Sequence, residues 1–518
     1  FKELRKNRRN VEITNELRTL YFNGMLNNNT ILDIQNRETR TLIYTPENST
    51  KRILPPVPKQ TKEGEKEKEE EEEHFDVFYA DFETCVSDSE GKNLDKHIPF
   101  MCCISDDIED STIQTFIGED CGKQVLDWLV GESQHPLVYF HNLSYDLNFL
   151  MKFGIYNTIN RNSSILQADV HYKGISIRFK DSYGLLPMKL KTIALSFKLP
   201  VQKEVFPYKF YSPERIEKAL KGERYSLESD IYPIEQKYEF WNENIRDEMK
   251  QNIINDLHDD PEHFDILKYC EFYCSKDVLV LKKAMNLFHD QLMDSFSIDC
   301  HKVLSISSIA NKFLENQVYF PNKNLYYYSN HIRDFLLEAV HGGRVMCARN
   351  ERHHFVAKNI DSGLVDFDAV SLYPSAMSKL YIVEGMPTPL EPKQCNIDFL
   401  SQDHITAYVV EIFITAVHKP KDFPLVIYKD PKTNKITNTN EPPVRMVVCD
   451  IELEDLIEFQ SIEFFIIRGL YWTGKKDKKV REVVKNLFET RAQLKREKNS
   501  LENTYKLLMN SIYGKTIQ

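Results

Sequence analysis

Residues 75–83 read Phe-Asp-Val-Phe-Tyr-Ala-Asp-Phe-Glu. The run is apolar and rich in β-favouring residues, so it predicts a strand. It ends in two carboxylates, Asp81 and Glu83. Positions i and i+2 of a strand face the same side, so the two acids stand together. Like charges that close repel unless a cation holds them, and a hard divalent metal suits such an oxygen-rich setting. Asp-x-Glu alone is a weak signal, because an exposed strand end carries the same residues.

Outward from this run the pattern alternates. Residues 136–154 (PLVYFHNLSYDLNFLMKFG) read as strand, loop and helix, and 175–188 (ISIRFKDSYGLLPM) as strand and turn. Residues 190–199 predict a short helix, and 205–262 a polar and aromatic insertion. Residues 264–292 repeat apolar side chains at three and four, the mark of a long helix. Strands alternating with helices predict an α/β domain over about 75–295. Before it, residues 1–50 have no assignable role, and 51–74 form a Pro/Glu-rich stretch read as a disordered linker. After it, 296–518 continues with helical and strand-like runs. Strands are predicted at 405–417 and 461–472, and helix over 478–514 with a break at Asn499-Ser500.

Composition narrows the classes. The chain has 518 residues, 67 Lys+Arg against 78 Asp+Glu, and a formal net charge of −11. Hydrophobic residues make up 42%, enough for several cores. Aromatics reach 12% and glycines number 17, which excludes a collagen-like or wholly disordered chain. No apolar run reaches the ~18 residues of a membrane span. Ten cysteines in this length write neither a disulfide framework nor a zinc knuckle, so a reducing intracellular compartment is expected. The acidic average argues against indiscriminate nucleic-acid binding. Locally it reverses: residues 468–518 hold 13 Lys/Arg against 5 Asp/Glu.

Two further elements join Asp81-x-Glu83. Asn142, Tyr145 and Asp146 lie in a loop between strand and helix. Tyr273 and Asp277 are i and i+4, so they share one helix face. Each has a bland explanation: a core tyrosine, a surface acid. In this order and type, they resemble the three exonuclease motifs of the DnaQ/RNase H-like 3′–5′ proofreading fold, in the form used by family B DNA polymerases. The resemblance implies that Asp81, Glu83, Asp146 and Asp277 hold two Mg²⁺ or Mn²⁺ ions, that Tyr273 positions the attacking water, and that Asn142 and Tyr145 hold the single-stranded primer end. Residues 179–204 resemble the protein-primed branch of that family, found in small phages, adenoviruses, linear plasmids and self-synthesising transposons. There the resemblance implies a primer-contacting Ser182 and a catalytic Lys203 that stabilises phosphate charge.

The second half carries two more motifs. Residues 366–377 read DFDAVSLYPSAM; the spacing from Asp368 through Ser371, Leu372 and Tyr373 resembles polymerase motif A at the end of a strand. It implies Asp368 as a ligand of both catalytic metals. Ser371 and Leu372 would sit by the triphosphate, and Tyr373 would be a steric gate excluding a 2′-hydroxyl. Asp366 lies on the same strand face but has the wrong offset. Lys506, Asn510 and Tyr513, at i, i+4 and i+7, share one helical stripe and resemble motif B, which binds the incoming deoxynucleoside triphosphate (dNTP). Arg491, Lys495 and Lys498 precede it at helical spacing as phosphate contacts. Gly342 and Gly343 resemble the Y-x-G-G template-coupling turn, with Val340 in place of the usual Tyr.

The expected architecture is therefore α/β and α+β multidomain: the exonuclease domain, then a partial palm and fingers. Residues 381–470 match in position the insertion that contacts a terminal protein. The expected function is protein-primed DNA-directed DNA synthesis with proofreading, in a monomer bound to template-primer DNA and no membrane. Family B polymerases carry a third palm motif with a second metal-binding aspartate after motif B. The chain stops eight residues after Asn510, so it is expected to lack that motif, and one palm carboxylate does not organise two metals. An exonuclease alone, or a non-catalytic DNA-binding remnant, is the alternative.

Overall fold

The computed structural model describes residues 49–56, 75–87, 96–108, 111–238, 241–342, 356, 365–369, 372–430, 433 and 435–515. These fall into two compact units. One comprises residues 58–313 with 487–515, the other residues 314–486 with the segment before 58.

The first unit is built on a seven-stranded mixed sheet. Its strands are β1 (Asp76–Ser87), β2 (Lys96–Asp106), β3 (Gln114–Ile117), β4 (Pro136–Phe140), β5 (Ile155–Arg161), β6 (Ser164–Tyr172) and β7 (Ile175–Asp181). The spatial order is β3-β2-β1-β4-β7-β6-β5. β1, β4 and β7 run parallel at the centre, and the outer pairs are antiparallel. Alternation sorts the side chains. Phe78, Ala80, Phe82, Val138, Phe140 and Phe179 face one side. There they form one core with the Cys121–Glu132 and Leu143–Leu150 helices. Tyr79, Asp81 and Glu83 therefore face the other side, which the 31-residue Ile266–Phe296 helix covers. The Tyr79 hydroxyl donates to Asn286 Oδ1 on that helix at 2.6 Å.

The aromatic 205–262 segment is a packed helical layer. Phe206, Phe210, Tyr211, Ile216, Leu227, Trp241, Met249 and Ile253 are buried in it, and the Pro213–Leu220 and Glu243–Asn255 helices carry it. The basic C-terminal stretch splits into helices Lys479–Arg496 and Leu501–Lys515. The break falls at the expected place, with Lys498 at φ 55°. The second helix is pinned within the first unit: Thr504 Oγ1 donates to Gln291 Oε1 at 2.6 Å, and Asn503 donates to the Ser196 carbonyl at 2.6 Å. A boundary at 296 thus does not match the packing, which returns residues 487–515 to the sheet-bearing unit.

The other unit centres on a four-stranded antiparallel sheet. Its strands are β8 (Thr388–Pro389), β9 (Ala407–Val417), β10 (Val444–Cys449) and β11 (Ile462–Trp472), in the order β8-β11-β9-β10. Val410, Ile412, Ile414, Val444, Met446 and Val448 bury one face against Leu400, Leu453 and Leu456. On β9, Glu411 is buried between Arg445 and Arg468 from the two neighbouring strands. Two guanidiniums compensate one acid, the condition under which a charge is tolerated inside. Lys51 and Arg52, the first residues of the expected disordered linker, instead belong to a strand, Thr50–Arg52, paired with Tyr326–Tyr328, and Ile53 after it is buried. The linker residues from 57 to 74 lie outside the described residues. No described helix is long and apolar enough to cross a membrane.

Candidate active site

The parallel pairing of β1 with β4 ends at Tyr79 and Tyr139. Asp81 and Glu83 project just past that end, which is where open α/β sheets place their ligands. A register shift between Glu83 and Thr84 turns the strand immediately afterwards. Asp146 enters from the Leu143–Leu150 helix that follows β4, and Asp277 from the long helix above.

Glu83, Asp146 and Asp277 are buried and Asp81 is partly buried. Burial and then the Asp277 charge push the Asp81 carboxyl up from 3.8 to about 8. Burial, Asp81 and Asp277 raise Glu83 well above the usual carboxylate range, and burial with Asp81 does the same for Asp146. Four acids thus crowd one another with too little cation. Asp146 Oδ1 and Asp277 Oδ1 are buried without a hydrogen-bond partner. Unpartnered buried oxygens and mutually raised acids fit a hard divalent ion such as Mg²⁺ or Mn²⁺, which would satisfy both defects. Among the described residues, Asp81, Glu83 and Cys274 have donor atoms that all lie within 4.8 Å of one another.

Among the described residues, a protein cation enters the cluster. Lys203 Nζ donates to Asp277 Oδ2 and, at 2.5 Å, to the Tyr273 hydroxyl. Burial would lower Lys203, but the Asp277 charge and its other anionic neighbours outweigh it and raise the ammonium above its ordinary value. Tyr273 is buried, stacked on Phe206 with centroids 4.5 Å apart, and bonded to the Tyr208 hydroxyl at 2.6 Å.

The Asn142 loop is built by Asp181, at the end of β7. Its Oδ1 accepts from the amides of Asn142 and Tyr183 at 2.9 Å and Leu143 at 3.3 Å. Asn142 is held at φ 75°, a left-handed conformation that Asn tolerates, and is exposed. Tyr145 is half-buried, its hydroxyl 2.7 Å from Thr84 Oγ1 and 2.9 Å from His97 Nδ1. Sequence reasoning missed Asp181, Thr84, His97 and Tyr208. Only Tyr208 had a signal, its place in an aromatic run five residues after Lys203.

Several expectations change. Ser182 does not face a primer groove: it is fully buried, donates to the Phe140 carbonyl at 3.0 Å and meets His141 Nδ1 at 2.9 Å. A hydroxyl at a sheet end finds backbone partners before solvent. Arg491 is occupied by Glu502 at 2.8 Å, so only Lys495 and Lys498 of the basic trio stand exposed. Residues 365–369 form no strand, and Asp366 and Asp368 are both exposed there. Leu372 and Tyr373 open the Leu372–Met377 helix, 61% and 54% exposed. Ser371 and Gly343 lie outside the described residues, and Gly342 is exposed. Lys506, Asn510 and Tyr513 occupy the outer stripe of the Leu501–Lys515 helix, with Thr504, Leu508 and Ile512 turned inward.

Residues 132–518 match the family described as DNA polymerase type B, organellar and viral. A DNA polymerase of Kluyveromyces lactis is 23% identical over 470 residues, 83% of this chain and 43% of that one. A DNA polymerase of Acidianus bottle-shaped virus is 44% identical over 164 residues, 29% of this chain and 23% of that one. The chain thus spans less than half the length of these relatives. Solved structures of phi29 DNA polymerase share the fold at 16% identity. The complex with primer-template DNA and incoming nucleotide gives a TM-score of 0.57 over 85% of this chain and 68% of that one, and the complex with single-stranded DNA gives 0.55. The chain belongs to the family of type B DNA polymerases, organellar and viral.

Proposed function

We propose that this chain removes nucleotides from the 3′ end of single-stranded DNA, as the proofreading activity of a DNA-directed DNA polymerase of the protein-primed branch. The observation that carries the reading is the meeting of four carboxylates at the end of β1, two of them with a buried oxygen lacking a partner. The phi29 complexes with single-stranded and primer-template DNA, similar in fold, support both substrates. The likeness of residues 179–204 to the protein-primed branch supports that branch and a terminal-protein partner.

Asp81, Glu83, Asp146 and Asp277 would hold the metal ions of a DnaQ-like site. When bound, such ions activate water and stabilise the leaving oxygen of a phosphodiester. The chain's own groups do the rest. The Tyr273 hydroxyl, fixed by Lys203 and Tyr208, orients the attacking water. Lys203 exchanges its hold on Asp277 for the negative charge gathering on the phosphate. Asn142 and Tyr145, at the loop Asp181 fixes, grip the unpaired end. A tyrosine face stacks on any base, which suits removal without sequence preference. The likeness to motif A supports a dNTP-binding role for Asp368, Ser371, Leu372 and Tyr373, and the likeness to motif B separately supports one for Lys506, Asn510 and Tyr513. Nucleotide transfer needs a second carboxylate beside Asp368.

The test is Mg²⁺-dependent degradation of a 3′-labelled single strand. Asp81→Ala with Glu83→Ala should abolish it, and Asp368→Ala should leave it intact. Degradation that survives the double substitution sinks the assignment.

A further inference from the structure

A second cluster of ligand-type side chains lies in the sheet-bearing unit, away from the carboxylates. His289 sits 12 residues beyond Asp277 on the Ile266–Phe296 helix, about 18 Å along its axis. Cys300 and His301 open the turn that follows the helix, Cys300–Lys302. Cys300 is fully buried, and both histidines are half-buried. One donor atom from each of the three lies within 4.8 Å of the other two.

The distances suit a tetrahedral ion. With metal–sulfur and metal–nitrogen bonds of about 2.3 and 2.0 Å, tetrahedral angles place sulfur and nitrogen about 3.5 Å apart. His289 Nδ1 and Cys300 Sγ are 3.5 Å apart. Asp299 Oδ1 lies 3.7 Å from the same His289 nitrogen. It also accepts the His301 amide at 2.8 Å, which fixes the turn. The Tyr139 hydroxyl, on β4, is 3.1 Å from His301 Nδ1. A partner of that kind fixes the tautomer and orientation of a ligating imidazole; with Nδ1–H given to Tyr139, Nε2 keeps its lone pair for a metal. The imidazoles stack at 4.6 Å between centroids.

We propose that His289, Cys300 and His301 bind a zinc-class divalent ion, with Asp299 or a water as fourth ligand, and that the ion clamps the end of the long helix to its turn and to β4. Two imidazoles and a thiolate select zinc or cobalt over magnesium, so the site differs in kind from the carboxylate cluster. A plain thiol–imidazole hydrogen bond is the competing explanation of the 3.5 Å contact.

Cobalt titration of the chelator-treated full chain, in excess Mg²⁺, separates the two. Among the described residues, Cys274 is the other thiol grouped with metal-type ligands, so the thiolate-to-cobalt absorption band is read in a Cys274→Ser background. The proposal predicts one equivalent of cobalt with that band, lost in Cys300→Ser. His289→Gln should weaken binding at least about 100-fold, since even outer-shell losses cost ~10–100-fold. If Cys300→Ser fails to fold, His289→Gln, at a partly exposed position, carries the comparison. No band in the Cys274→Ser protein, or a band unchanged by both further substitutions, overturns the site. Neither result depends on nuclease activity.

Discussion

Replacing Asp81 by Asn should make the metal-free protein more stable at neutral and alkaline pH. Asp81 and Glu83 have donor oxygens within 4.8 Å. Burial first and then the Asp277 charge disfavour ionised Asp81; at an effective dielectric of about 20, a like charge ~5 Å away costs about 3 kcal/mol. Asp81 is partly buried and water reaches it, so the gain to expect is roughly 1–3 kcal/mol. That is roughly 2–12 °C in melting temperature for a unit of this size. The sign follows from linkage. Asp81 titrates at 3.8 when unperturbed and at about 8 in the folded chain, so the folded state binds more protons between those values. Stability therefore falls as pH rises through that window. The advantage of Asp81→Asn should be small near pH 4 and largest near pH 8. Mg²⁺ should erase it, because bound metal stabilises the wild type and not the variant. The assay is thermal melting by circular dichroism in chelator and in Mg²⁺, across pH 4–8. A variant less stable than wild type at pH 8 in chelator, or a gain independent of pH, would refute the reasoning.

Three other outcomes follow from the same geometry. Lys203→Met leaves the buried Asp277 without its cation and should cost about 3–5 kcal/mol in chelator, with much of the loss recovered in Mg²⁺ melts. Tyr273→Phe keeps the packing on Phe206 and removes the hydroxyl; single-turnover degradation should slow roughly 100-fold while stability changes by ~1 kcal/mol. Glu411→Ala leaves Arg445 and Arg468 facing each other across β9. It should lower stability by about 3–5 kcal/mol in urea unfolding, with the rate of strand degradation unchanged.

The sequence was most legible where period and chemistry coincide. Alternation along residues 75–83 puts Asp81 and Glu83 on one face, and the i, i+4 spacing of Tyr273 and Asp277 puts both toward it. The long helix, the two long strands of the second sheet and the break near Asn499 follow from patterns a few residues long. What escaped depends on partners far along the chain. Asp181 anchors the Asn142 loop from 39 residues away, and Thr84 and His97 meet Tyr145 only because β1 and β2 pair. Ser182 and Arg491 looked like contacts for DNA because a sequence shows a polar group without its occupant: a backbone carbonyl for one, Glu502 for the other. The 205–262 segment reads as an insertion because it is polar and aromatic, yet it packs as a helical layer and brings Tyr208 to Tyr273. The strand expected at Asp368 did not form, since a short apolar run sets a tendency and pairing decides.

The most direct test of the account is metal-dependent digestion of a 3′-labelled single-stranded DNA by the purified chain. Stepwise shortening from the 3′ end in Mg²⁺ should be lost in Asp81→Ala/Glu83→Ala and retained in Asp368→Ala. Equal shortening by all three proteins, or loss in Asp368→Ala alone, would contradict it.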